Sequence, residues 1–384
     1  MAVKNIRTRQ ELLHHFDERM NATYSSLSDN QELDSDTSLV KTYLIEAHLS
    51  ENGTTQELDK MFAKLTETQK ATNNCLNILP SDDPKLYVFS ADVDGELITL
   101  YADVSNPRFW TLHSSGRSTS LDWLIDRTIK QHFFLDHAWF WPSLLNRLSN
   151  KGAFKGLSLD YDRRAIPDVD FEASQSVEYL KMQLWGTAAG DVFRVLSKSF
   201  PSHTTLSKVK IKYWLSAKDD GVFTIDDFKF DGKITARGTS FVSHISLVSD
   251  TYNEYIQTIR KIENEYSMNW TGDNGMATVS GKALAIRFPT SIKHLDQFCE
   301  YLFSSSLPFR LWGVPVMVHE NFYRVSGIDL HANCRLDFEI APEFMRLYLP
   351  SGSCGNTIAR LFTNLKHYYD SQIEAVGEDD ERIF

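Results

Sequence analysis

The residues best suited to nucleophilic chemistry lie near the C-terminal end of the sequence. Cys354 stands in the glycine-rich segment LPSGSCGNTIARLF, which leads into a predicted helix. A thiol at the start of a helix becomes more reactive when its pKa falls. Asp329 and His331, two residues apart on a predicted strand, are an orienting acid and a base of the kind that a cysteine nucleophile needs. One hypothesis is therefore a cysteine-based enzyme; the alternative is a structural turn and helix cap.

The same glycine-rich turn has the features of an anion-binding site. Gly352, Gly355 and Asn356 place backbone N–H groups at the start of the predicted helix. Such donors, together with the helix dipole, hold anions. The turn contains no lysine, unlike the phosphate loop of nucleotide-binding proteins. The pattern predicts a simple anion site, with a structural turn as the alternative.

Two aspartates on the predicted strand GLSLDYD are suited to a divalent cation. Asp160 and Asp162 are two residues apart, so their carboxylates point to one side of the strand and are placed to hold Mg²⁺. Asp168 and Asp170 repeat this spacing. A second enzymatic hypothesis follows, a metal-dependent enzyme acting on phosphate esters. The alternative is a solvated strand end whose acids pair with Arg163 and Arg164.

A basic strand is the strongest indication of nucleic-acid binding. Lys208, Lys210 and Lys212 alternate with apolar residues, and Trp214 continues the same face. Basic side chains beside an aromatic ring suit a single-stranded phosphate backbone with stacked bases. The alternative interpretation is a solvated sheet face, or lysines that protect an edge strand from pairing.

The densest aromatic run of the chain is QHFFLDHAWFW. Its members Phe134, Trp139 and Trp141 predict either a domain core or an exposed docking surface for a protein partner.

The elements that position these residues indicate an α+β protein. The stretch 281–373 has the pattern of a strand, a helix, three or four strands and a closing helix. The region from 155 repeats that order of elements without similarity between residues. The sequence therefore predicts a helical N-terminal unit (1–80), a small α/β segment (81–152), two tandem sheet-plus-helix units with a ferredoxin-like order as a candidate (153–270 and 276–373), and an acidic tail (374–384).

Four individual assignments are ambiguous in period and are stated here as predictions. Helices are predicted over 39–47 and over about 174–199, because apolar residues recur at helical spacing. A strand is predicted over 236–249. The segment WTGDNG at 270–275 is predicted to be a linker.

Bulk composition limits the classes of protein. The chain has 384 residues, a net charge of −11 and 12% aromatic residues, so a generic duplex-binding protein is disfavoured. Its four cysteines lack the spacing of a zinc cluster or a disulfide framework. The polar start lacks a signal peptide, and no run approaches the ~18 apolar residues that cross a bilayer. A cytoplasmic protein with no membrane partner is expected.

The leading functional hypothesis is a non-enzymatic recognition or scaffold subunit of a multiprotein assembly. It binds a protein partner and, as a second ligand, single-stranded nucleic acid. This expectation rests on the aromatic surplus, the lysine strand and the lack of a strong catalytic motif in the sequence. No cofactor is expected, apart from Mg²⁺ under the phosphate-ester alternative.

Overall fold

The structure is a computed structural model, and the chain it represents is a mixed α+β protein, as predicted. The structure describes residues 6–28, 39–49, 54–70, 76–166, 177–216, 221–273, 276–378 and 380–384. The chain divides into two compact units. The first unit comprises Met1–Ala138, Ser149–Phe154 and Lys210–Tyr252; the second comprises Trp139–Leu148, Lys155–Val209 and Asn253–Phe384.

The helices of the described ranges differ widely in length. In chain order they are α1 (Arg9–Ser28), α2 (Thr55–Lys70), α3 (Ser118–Gln131), α4 (Pro142–Leu148), α5 (Ala189–Ser199), α6 (Phe241–Glu265), α7 (Leu295–Leu302) and α8 (Gly355–Tyr368). Among the helices of these ranges, we find none that combines the length and the apolar character needed to cross a bilayer.

The strands supply most of the ordered framework. They are β1 (Val40–Ala47), β2 (Asn77–Pro80), β3 (Leu86–Val93), β4 (Glu96–Asp103), β5 (Phe109–Ser114), β6 (Leu135–His137), β7 (Ala153–Asp162), β8 (Tyr179–Trp185), β9 (Leu206–Tyr213), β10 (Thr224–Lys229), β11 (Lys233–Gly238), β12 (Ser267–Asp273), β13 (Met276–Ser280), β14 (Leu284–Arg287), β15 (Leu311–His319), β16 (Phe322–Asp329), β17 (Arg335–Ala341), β18 (Phe344–Pro350) and β19 (Glu374–Val376).

The first unit is built on a sheet in the order β2-β3-β4-β5-β1-β11-β10. The β3–β4 hairpin turns at Asp94 and Gly95, whose φ angles of 54° and 82° fit a type I′ turn. Thr54 and Glu57 cap α2 reciprocally: the Glu57 carboxylate accepts from the Thr54 N–H at 2.7 Å, and the Glu57 N–H donates to the Thr54 hydroxyl at 3.3 Å.

The predicted helix over 39–47 is wrong, because these residues form β1. Every residue of β1 is buried, and the strand pairs with β5, β6 and β11. A central strand covered on both faces carries no alternation of polar and apolar residues, so its short apolar run has the appearance of a helix.

Three further assignments change. The predicted helix over 174–199 contains β8 in its first half, and only α5 is helical. The predicted strand over 236–249 ends at Gly238, and α6 begins at Phe241. Ser240 explains the early start, since its hydroxyl accepts from the Ser243 N–H at 3.1 Å. Of the predicted linker at 270–275, residues 270–273 belong to β12, which pairs with β13, and residues 274–275 lie outside the described residues.

The second unit contains a sheet in the order β13-β12-β18-β17-β16-β15, with β14 pairing with β18 and β19. The predicted sequence of strand, helix, strands and closing helix over 281–373 is confirmed by β14, α7, β15 to β18 and α8. Helix α8 is buried along almost its whole length. The buried face of the sheet includes Val325, Phe338 and Leu347.

The acidic C-terminal residues are packed rather than frayed. Strand β19 pairs with β14. The ring of Phe384 lies 4.7 Å from the rings of both Phe362 and Trp141, measured between centroids. The two aromatic anchors therefore fix the chain end within the second unit.

Candidate functional site

The structure brings together the three residues of the cysteine hypothesis in the second unit. A ring nitrogen of His331 and Sγ of Cys354 lie within 4.8 Å of each other. The donor to Asp329 Oδ1, at 3.1 Å, is the backbone N–H of His331 and not its ring. All three residues are nevertheless buried, with exposed fractions of 2% for Cys354, 0% for His331 and 1% for Asp329. A substrate has no surface from which to reach the thiol.

The Asp329 carboxylate is engaged by helix α8. It accepts hydrogen bonds from the Arg360 guanidinium and the Thr357 hydroxyl. Arg360 Nε also donates to the Phe309 carbonyl at 2.8 Å. Burial alone raises the pKa of Asp329, but the charge of Arg360 and the bond from Thr357 outweigh it and hold the pKa below its ordinary value. Asp329 and Arg360 therefore form a buried ion pair that joins α8 to β16.

The start of α8 already holds a carboxylate from the protein itself. The Gly355 N–H donates to Glu263 Oε1 at 2.7 Å. The Tyr255 hydroxyl donates to Asn356 Oδ1 at 2.5 Å. Gly352 has a φ of 85°, which a glycine adopts without strain. Glu263 thus occupies a donor at the helix start where an external anion is predicted.

Thiol reactivity distinguishes the cysteine hypothesis from the structural interpretation. Cys299 and Cys354 are buried, whereas Cys334 is half-buried. Burial raises the pKa of Cys299 to about 12 and raises that of Cys334 less. With iodoacetamide near pH 7, Cys334 is expected to be labelled before Cys354, as measured by peptide mass spectrometry. Labelling of Cys354 faster than a free thiol would instead support a catalytic cysteine.

The aspartates of β7 have partners within the chain. Asp162 accepts two hydrogen bonds of 2.8 Å from the Arg164 guanidinium, which lower the pKa of the carboxyl. The Asp160 carbonyl bonds to His367 Nδ1 at 2.7 Å. Among the described residues, no set of three metal-ligating side chains forms around this pair. Asp168 and Asp170 lie outside the described residues, so the Mg²⁺ hypothesis stays a prediction.

The lysine face is divided by its own contacts. In the first unit, Lys210 Nζ lies 3.4 Å from Asp227 Oδ2. Lys212 Nζ lies 3.7 Å above the ring of Phe223 and 5.0 Å from that of Trp214. Lys208 is half-buried and belongs to the second unit. Nucleic-acid binding here stays a prediction, in which a phosphate has to compete with Asp227 for Lys210.

The three aromatic residues predicted as a partner surface are buried. The exposed fractions are 6% for Phe134, 7% for Trp139 and 1% for Trp141. The Trp141 ring stacks on Tyr255, with ring centroids 6.1 Å apart. These side chains therefore belong to the core, and their area is not available to a partner.

An exposed apolar stripe lies elsewhere, on the outer face of the second unit's sheet. Alternate residues of β15 point away from the core, and a neighbour on β16 widens the stripe. We call this set the outer stripe: Trp312 (48% exposed), Val314 (62%), Val316 (58%) and Ile328 (38%). Trp312 stands directly opposite Ile328 in the β15–β16 register. A contiguous row of large exposed apolar side chains marks an interaction surface.

Arginines border the outer stripe. Arg324 is opposite Val316, and Arg324 and Arg346 both bond to the carboxylate of Glu339, at 2.9 and 3.2 Å. Arg335 bonds to Asp337 at 3.0 Å. We call the three arginines the arginine rim. Their side chains are 45–67% exposed, whereas Glu339 is only 15% exposed. The arginine rim therefore exposes cationic side chains to solvent, whereas the carboxylate of Glu339 is largely covered.

The backbone edge of β15 is a poor platform for an added strand. Pro315 lies in the middle of the strand and has no N–H to donate. At the start of the strand, Trp312 already forms a bridge with Ser304. Contact is therefore expected through the side chains of the outer stripe rather than through strand addition.

The outer stripe was not among the sequence-based candidates, although its strand was predicted. The segment LWGVPVMVH has apolar residues at both even and odd positions. Such a run indicates a strand buried on both faces. The only signal for an uncovered edge was Pro315, which is typical of edge strands.

These features define a two-unit α+β protein with an exposed apolar stripe bordered by arginines. By sequence, the chain belongs to the MJECL33-like protein family, whose model matches residues 1–384. A relative from Methanocaldococcus jannaschii, described as uncharacterized protein MJECL33, is 29% identical over 420 residues, covering 98% of this chain and 97% of the relative. Neither description names a reaction or a ligand.

Proposed function

We propose that this protein is a non-enzymatic recognition subunit that binds a protein partner through the outer stripe and the arginine rim. The observation that carries the proposal is the exposure of Trp312, Val314 and Val316 in one row. Burying this row removes apolar area from water, which is the main driving force of protein association. An apolar centre with a polar border is the usual anatomy of such an interface.

The charges of the rim indicate the chemistry of the partner. The guanidinium groups of Arg324 and Arg335 have exposed fractions of 64% and 67%, and they flank an uncharged stripe. A second copy of this face would bring arginine against arginine, which is unfavourable. A partner segment with apolar residues flanked by aspartates or glutamates complements the face. We therefore commit to a heterologous acidic segment as the occupant.

The proposal predicts that one charge placed in the stripe weakens the complex. Val316→Glu buries a carboxylate against the partner's apolar residues and its acidic flanks, and is expected to weaken binding by about tenfold or more. The measurement is affinity capture from an extract of the source, followed by reconstitution from the purified components and titration calorimetry. The captured protein should bind the wild type in a fixed ratio and should bind the Val316→Glu variant much more weakly.

A matched control separates the stripe from a general effect of the new charge. Val195 is 63% exposed on α5, away from this sheet, and Val195→Glu is expected to bind normally. Equal binding of both variants would contradict the proposal, as would self-association of the chain through the stripe with no other protein bound. If nucleic acid binds the wild type and also binds Val316→Glu, the result would favour the lysine strand as the binding surface.

A further inference from the structure

The second unit contains a cavity that the proposed docking function does not use. Its volume is about 370 Å³, which lies within the range of small-molecule sites. Its lining combines apolar and hydroxyl side chains with charged groups, the central ones being Phe362, Lys366, Ile373, Arg382 and Phe384. All of the lining residues belong to the second unit.

Lys366 is the cation of the cavity that lacks an acidic partner at contact distance. Its ammonium donates to the Ser371 carbonyl at 2.6 Å and lies 5.0 Å from the centre of the Phe362 ring. Within the described chain, no carboxylate comes within ion-pairing distance of this ammonium. An ammonium has three donors, so two remain for a ligand.

The other charged lining residues compensate each other. Arg382 and Glu374 form an ion pair. Asp370 attracts Lys366 but is not among the residues that line the cavity. The excess charge of the cavity is therefore positive and is centred on Lys366.

The apolar wall of the cavity is fixed by stacking. Phe362 and Phe384 lie with their rings 4.7 Å apart and nearly parallel, at 21°. Ile373 is buried and adds aliphatic surface. The wall offers a flat apolar contact beside the ammonium of Lys366.

We propose that this cavity binds a small organic anion whose carboxylate or phosphate group contacts Lys366 and whose apolar body packs against Phe362, Ile373 and Phe384. The site needs no contribution from the outer stripe, so either proposal can fail without the other. Ser143 lines the same cavity, and its hydroxyl is a donor of the kind that an anionic group accepts.

The environment of the amine agrees with this geometry. Burial, with Arg382 adding to it and Asp370 and Glu374 opposing it, lowers the pKa of Lys366 to about 8. An anion beside the ammonium would raise the pKa again, because an opposite charge stabilises the protonated form. Ligand binding should therefore be accompanied by proton uptake near pH 8.

The test uses benzoate and phenyl phosphate as the compounds, with neutral benzamide as the matched control compound. Titration calorimetry of the full chain near pH 7 should show binding of at least one anion and weaker binding of benzamide. Lys366→Met keeps a side chain of similar length and removes its charge, and it is expected to weaken binding of the anion by about tenfold or more. Lys181→Met, at an exposed lysine of β8, should leave binding unchanged.

A second measurement protects the test against a variant that does not fold. Acylation of Lys366 in the wild-type chain by succinimidyl acetate, followed by peptide mass spectrometry, should slow when the bound anion is present. Protection of Lys366 but not of Lys181 supports the site. Absence of binding by both anions, equal binding of benzamide, or acylation of Lys366 that the anions leave unchanged would overturn the proposal.

Discussion

Replacing Arg360 by Met is expected to destabilise the second unit by about 3–5 kcal/mol. Arg360 has no exposed surface and pairs with Asp329, which is 1% exposed. The substitution leaves a carboxylate buried without its counter-charge and leaves the Phe309 carbonyl without the Nε donor. An unpaired buried charge costs far more than the loss of an exposed ion pair.

Urea unfolding, followed by hydrogen exchange of the α8 amides, measures this loss of stability. Arg324→Met is the matched control, since Arg324 is 64% exposed and Glu339 keeps its bonds to Arg346 and Tyr348. Its free energy of unfolding should change by no more than about 0.5 kcal/mol. The double variant Arg360→Met with Asp329→Leu should recover part of the loss, because it removes the stranded charge. A double variant less stable than Arg360→Met would contradict the role of the ion pair.

The first unit is expected to lose about 3 kcal/mol of stability between pH 7 and pH 4 through one histidine. His113 is 4% exposed, and its Nδ1 lies 2.9 Å from the hydroxyl of Thr42. That hydroxyl also lies 2.7 Å from Nε2 of His244, whose Nδ1 lies 2.9 Å from Asp226 Oδ2. The imidazole of His113 is therefore an uncharged member of a buried hydrogen-bonded chain that also contains Thr42 and His244.

The direction of the pH effect follows from the pKa of His113. Burial, with the nearby His244 adding to it and Asp103 opposing it, lowers the pKa to about 3 from the model-peptide value of 6.5. Between pH 7 and pH 4, the His113 side chain takes up a proton in the unfolded chain but stays neutral in the folded unit. Stability is therefore complete above pH 6.5 and falls as the pH decreases toward 3.

Urea unfolding of the wild type and of His113→Phe at several pH values tests this prediction. The variant should have a flatter stability profile between pH 7 and pH 4, whatever its stability at neutral pH. His14→Gln is the control, because the side chain of His14 is 72% exposed on α1. An unchanged slope in His113→Phe would show that another group causes the acid sensitivity.

The closing part of the fold was readable in the sequence because its elements have clear boundaries. The strand, helix, strands and helix of 281–373 alternate with turns, and one face of each is apolar. Strand β1 was not readable, because burial on both faces removes the alternation that distinguishes strand from helix. The start of α6 was missed because only Thr239 and Ser240 separate this helix from β11.

The candidate sites show the same limit: the residue types can be read from the sequence, whereas their burial cannot. The sequence places Cys354, His331 and Asp329 in a pattern fit for chemistry, and the fold does bring them together, but without exposure. The aromatic run around Trp141 became core. Exposure of the outer stripe depends on which face of β15 the helices cover, and a local pattern does not contain that information.

Site-specific photo-cross-linking tests the docking proposal most directly. p-Benzoylphenylalanine is introduced at Val316 of the full chain in its native source, with Val195 as the control position. The account predicts one dominant cross-linked protein at Val316 and none at Val195, with the attached peptide apolar and flanked by aspartate or glutamate. Cross-links only to copies of this chain, or the same products at both positions, would contradict the assignment of the outer stripe as the partner surface.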